Sequence, residues 1–112
     1  MNVTFFLLTL SSQIYAVGLI DDRGQYMLLS AFQHESPGES DFLYHEQIAA
    51  RVMQKLVDIV GQDRLVDLVG SIRRIISDCS TDQLAIDRVL IDKFREIDPF
   101  AEIEIVRCFM HR

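Results

Sequence analysis

The sequence predicts an α+β fold in the order β-β-β-α-α-α-β. An antiparallel three-strand meander is followed by helices and by a fourth strand parallel to strand one, with the helices packed on the sheet. Three observations carry this. Residues 2–33 hold three apolar stretches rich in Val, Ile, Leu, Phe and Tyr, and the last two face each other across Asp21-Asp22-Arg23-Gly24. Residues 41–98 carry apolar positions at spacings of three and four, as helices do. A short alternating run occupies residues 101–109. Three consecutive strands suit a meander, and a strand that returns after helices can lie parallel to strand one through a right-handed crossover.

Taken in order, residues 2–10 form a continuous apolar run, the pattern of a central strand covered on both faces. Ser11-Ser12 punctuate it. Residues 13–20 and 25–33 are strands two and three, and Gly24 can take the positive φ that closes a short hairpin. Gly18 inside strand two marks a bulge or a close backbone approach. The segment from His34 to Asp41 is a loop with the turn pair Pro37-Gly38, and Ser40 or Asp41 can cap the helix that follows. That helix runs to about Val60 on the face Ile48, Val52, Leu56 and Val60. Gly61 ends it, and Asp63 can start a second helix lined by Leu65, Leu68, Val69, Ile72, Ile75 and Ile76. Ser80 with Gln83 resembles a capping box for a third helix, whose face is Ile86, Val89, Leu90 and Phe94. Pro99 stops it, and the alternation of Ile103 and Ile105 with Glu102 and Glu104 marks strand four.

At 112 residues the chain is expected to be one domain, residues 1–112, able to fold without staples. Its 17 acidic against 11 basic residues give a net charge of −6, which argues against a general phosphate-binding surface and favours solubility. Two isolated cysteines, Cys79 and Cys108, fit a reduced cytoplasmic setting, with a single disulfide between them as the alternative. The apolar stretch at residues 3–10 is not preceded by the Lys or Arg of a signal peptide and is far too short to span a bilayer, so a buried strand and no membrane association are expected.

Strand one, the hairpin around Asp22-Arg23-Gly24, a polar loop and a helix opening Tyr44-His45-Glu46-Gln47-Ile48-Ala49-Ala50 follow one another in a way that resembles the ribonuclease H-like fold, over residues 2–58 and 101–109. The resemblance implies metal-binding carboxylates on the first strand, early in the first helix and at the end of the fourth strand. Glu46 matches the helix position. Leu7, Leu8 and Thr9 stand where the first-strand Asp would be, and Arg107 and Cys108 where the fourth-strand Asp would be. Two-metal hydrolysis needs several oxygen ligands around ions roughly 3.5–4 Å apart, which one Glu cannot provide. No catalytic residue, metal or cofactor is therefore expected.

Other constellations have plainer readings. His34-Glu35 and His45-Glu46, with Glu39 and Asp41 between, match no compact ligand spacing and suit a polar helix start. Neither thiol has a local activator. Arg51 and Lys55 with Arg64, Arg73 and Arg74 could form a basic stripe for nucleic acid, but Asp58, Asp63 and Asp67 balance it as a solvated face. Helix two is apolar on more than one side, and Leu65, Val66, Val69, Ile72 and Ile76 are expected to meet another subunit. The leading expectation is thus a non-catalytic protein–protein interaction module, an adaptor, inhibitor or regulator, that forms a homodimer. The alternative is a ribonuclease H-like metal-dependent nuclease or nucleic-acid-binding protein using Glu46, with Arg51, Lys55, Arg73 and Arg74 on the nucleic acid.

Overall fold

The structure, a computed structural model, describes residues 2–11, 14–34, 41–77 and 80–107. Among these the chain forms β1 (Val3–Ser11), β2 (Ile14–Ile20), β3 (Tyr26–Gln33), α1 (Asp41–Val60), α2 (Gln62–Ser71), β4 (Ile72–Ser77), α3 (Thr81–Ile97) and β5 (Glu104–Arg107). The strands make one mixed sheet in the order β3-β2-β1-β4-β5. β1 pairs antiparallel with β2, and β2 with β3; β4 runs parallel to β1, and β5 parallel to β4. The fold class is the expected one: an antiparallel meander, a strand parallel to strand one, and helices on the sheet.

The hairpin forms as its residues predict. Gly24 has φ 81°, and its N–H donates to the Asp21 carbonyl at 3.1 Å. The Asp21 carboxylate also accepts from the N–H groups of Arg23 and Gln25, so one side chain organises the reversal. Gly18 proves to be both a close approach and the neighbour of a bulge: the β2–β3 register shifts between Val17 and Gly18, which leaves Leu29 of β3 as the extra residue.

The strand parallel to β1 is not the one expected. The apolar spacing puts Ile72, Ile75 and Ile76 on helix two, but α2 stops at Ser71 and β4 begins at Ile72. The described residues therefore form five strands, and β5 lies one place further out, against β4. The helical spacing of Ile72 and Ile75 has a specific cause. The β1–β4 register slips between Val3 and Thr4, pairing Val3 with Ile72 but Thr4 with Arg74. Arg73 is the extra residue, so Ile72 and Ile75, three apart, both reach the core and both are fully buried.

The core lies between one face of the sheet and the helices. Phe5 and Leu7 of β1, Tyr15 and Val17 of β2, and Ile72 and Ile75 of β4 meet Ile48, Val52 and Leu56 of α1, Leu65 and Val69 of α2, and Ile86, Leu90 and Phe94 of α3. At the centre, Phe5 and Phe94 pack edge to face with ring centroids 5.6 Å apart. Gly61, at φ 83°, joins α1 to α2. Ser80 caps α3 by accepting from the Gln83 N–H, but the Gln83 side chain turns away from the cap and into the interior. Cys79, Cys108, Pro37-Gly38, Ser40, Glu35 and Glu39 lie outside the described residues.

Candidate functional surface

Strand alternation sends every second side chain away from the helices. On β1 these are Thr4, Phe6 and Leu8; on β2, Ala16, Gly18 and Ile20; on β3, Tyr26 and Leu28; on β4, Arg74 and Ile76; on β5, Glu104 and Val106. Among the described residues no helix covers this face. Tyr26 is 77% exposed and Leu28 64%, and Leu10 at the bulged end of β1 is 62% exposed. The Phe6 ring lies against Gly18, edge to face with Tyr26 at 6.3 Å between centroids. Phe6 and Ala16 are themselves buried, so the exposed apolar surface of this face is concentrated on Tyr26 and Leu28 of β3, giving way to exposed Arg74 and Glu104 at the other side.

The two edges of the sheet differ. β5 has four residues and is charged at both ends, Glu104 and Arg107, a short and guarded edge. β3 has eight residues, Tyr-Met-Leu-Leu-Ser-Ala-Phe-Gln, without a charge or a proline. Met27, on the helix side of β3, is 60% exposed, so three consecutive large apolar residues are open to solvent on both faces of one edge strand. Its one guarding feature is the bulge at Leu29.

A polar cluster occupies the end of the sheet where β1 and β4 finish. Thr9 donates to the Gln83 side-chain oxygen at 3.0 Å, and the Gln83 amide donates to Asp87 at 3.0 Å, with Gln83 and Asp87 both buried. The Tyr15 and Tyr44 hydroxyls share a short hydrogen bond. Burial, followed by that bond, pushes the Tyr15 hydroxyl well above the ordinary tyrosine range, so it stays protonated. His34 bonds the Gln47 side chain at 3.1 Å and meets Arg51 at 3.2 Å. His45 sits 3.5 Å from Asp82. Gln83 thus links strand to helix inside the core, a positioning arrangement rather than an open site. Among the described residues no group of three or more His, Cys, Asp or Glu side chains is placed to hold a metal ion.

The residues singled out in the sequence fall in several places. Leu65, Val69 and Ile72 are buried in the chain's own core, so they offer no surface to a second subunit. Val66 is 54% exposed on α2, while Ile76 is half-buried on the open face of β4, so the five do not form one patch. Glu46 faces α3, where Lys93 lies 3.4 Å from its carboxylate. Arg51 stacks over Phe32 at 4.5 Å and donates to the Gln33 carbonyl, whereas Arg73 donates to the carbonyls of Gly70 and Ile72. Arg51 and Lys55 are on α1, Arg73 and Arg74 on β4, and no single stripe joins them. The residues that sequence reasoning missed are Tyr26, Met27, Leu28 and Leu10. Their signal was present: an uncharged strand with consecutive apolar positions lacks the alternation of a half-buried strand. Compared against protein-family models and against curated proteins, the chain matches none.

Proposed function

We propose that this chain is a protein–protein interaction module that associates with itself through the β3 side of its sheet. The observation that carries this is the exposure of Tyr26, Met27 and Leu28 together on an edge strand guarded only by its bulge. Exposed contiguous apolar surface of this kind is the usual mark of an association site. Self-association is what the sequence leads one to expect, here with β3 in place of helix two as its surface. The expected result is a solution mass that rises with concentration toward twice the 12.9 kDa of one chain, measured by light scattering after size-exclusion chromatography. Leu28→Lys shifts that rise to higher concentration. A strict monomer at millimolar concentration would remove the proposal.

A second reading, a ribonuclease H-like nuclease or nucleic-acid binder using Glu46, has one observation in its favour. The meander followed by parallel β4 is the arrangement the resemblance asks for, and β4 ends at Ser77 rather than near Arg107. The residue that follows in the sequence is Asp78, an acid, although it lies outside the described residues. Under this reading the protein cleaves an RNA–DNA hybrid with Mg²⁺ or Mn²⁺, and Glu46→Gln and Asp78→Asn each abolish cleavage. Full activity in both variants, or none in the wild type, rejects it.

A further inference from the structure

The self-association proposed above leaves open how two copies meet. We infer that they join edge to edge: β3 of one copy pairs antiparallel with β3 of the other about a two-fold axis, giving one sheet continuous across both chains. This rests on the reading of the chain as self-associating and specifies its partner and geometry.

The backbone supplies the first argument. The Asp21 N–H donates to the Gln25 carbonyl, so the Gln25 backbone faces β2. Along an antiparallel strand the N–H and C=O groups of successive residues point alternately to either side. Those of Tyr26 and Leu28 therefore point outward, to the side where no described strand pairs with β3. A docked strand satisfies these groups; a flat apolar ligand on the sheet face does not. The side chains supply the second argument. Tyr26 and Leu28 are exposed on the open face while Met27 is exposed on the helix side. A partner lying on one face would cover only one set. A strand added in the plane of the sheet lies beside both.

Charge distinguishes a second copy from an unrelated strand. The turn before β3 carries Asp21 and Asp22 against the single Arg23, and Arg51 sits at the other end of β3, over Phe32 and bonded to the Gln33 carbonyl. Antiparallel self-pairing sets the acidic turn before each β3 beside Arg51 at the far end of its mate, whereas parallel pairing would set acidic turn beside acidic turn. β3 itself is uncharged, so no repulsion arises at the axis despite a net charge of −6 on each chain. The same arrangement is self-complementary, as a two-fold interface must be.

The test combines solution mass with amide hydrogen exchange on the intact chain. In the dimer, the Tyr26 and Leu28 amides are expected to exchange at least about tenfold more slowly than in dilute monomer, because they become hydrogen-bonded. Leu28→Pro, which removes an outward N–H, and Met27→Lys, which puts a charge beside the mate, each weaken association by about a hundredfold. Leu10→Lys, two strands from the edge on the open face, leaves association unchanged. A dimer whose Tyr26 and Leu28 amides exchange at the monomer rate overturns the edge pairing, as does dissociation by Leu10→Lys alone; either result leaves self-association standing, through the open face instead. A monomer at every concentration overturns both. Should Leu28→Pro fail to fold, wild-type exchange and Met27→Lys decide the matter.

Discussion

Gly18→Val is expected to destabilise the fold by about 2–3 kcal/mol, the cost of overpacking a site with no room to give. A Cβ at position 18 would overlap the ring of Phe6 and come 2.5 Å from the backbone carbonyl oxygen of Met27. The ring could rotate away, but the carbonyl is held by the β2–β3 pairing. The chain must therefore open the register beside the bulge or lift Phe6 off the sheet. Urea unfolding should show a lower midpoint with an unchanged slope. Adding Phe6→Ala recovers only part of the loss, since the Met27 oxygen remains. A Gly18→Val protein as stable as the wild type would show that the approach is not close.

Phe5→Ala carries a larger expected loss, about 3–5 kcal/mol, the range for removing a buried phenylalanine. Phe5 is fully buried on β1, the middle strand of the sheet, and its ring meets Phe94 of α3 edge to face. Deleting it empties the junction between the sheet and α3. Against a total stability of about 5–15 kcal/mol for a domain, that is about a fifth of the reserve or more. In a double-mutant cycle with Phe94→Ala the two losses are expected to fall short of additivity by about 0.5–1.5 kcal/mol, the worth of the ring pair. Strict additivity would mean the rings contribute through burial alone.

Much of this architecture was legible in the sequence because local signals agreed with tertiary ones. The hairpin declared itself through Asp21 and Gly24, the α1 face through Ile48, Val52 and Leu56, and the α3 cap through Ser80 and Gln83. β4 did not, for a physical reason. Its bulge at Arg73 puts core residues three apart, which imitates a helix turn and continues the rhythm of Leu65, Leu68 and Val69. The contrary signal was Gly70-Ser71 followed by β-branched Ile72, Ile75 and Ile76, residues that suit a pleated strand. The same spacing makes helix two look apolar all round, whereas Leu65 and Val69 of α2 and Ile72 of β4 are packed in the chain's own core. The open face and the β3 edge could not be read without the sheet order, because which strand lies at an edge is a property of the whole topology. The buried use of Gln83 was equally hidden: its spacing from Ser80 signals a cap, and nothing local shows that its side chain reaches Thr9 and Asp87.

The place of β4 beside β1 has a consequence for how the chain is made. β1, β2 and β3 are joined by short reversals and can assemble as soon as residues 3–33 are available, but β1 finds its second neighbour only at residues 72–77. Closing that long interval is slow compared with forming a hairpin. A growing chain, elongating at about 5–20 residues per second, thus carries for seconds a meander with both borders unpaired. In that interval the apolar strand that later becomes the centre of the sheet is itself a border. Chaperone dependence of the nascent protein should accordingly be greatest before residue 77 emerges and decline once β4 and α3 have closed the core.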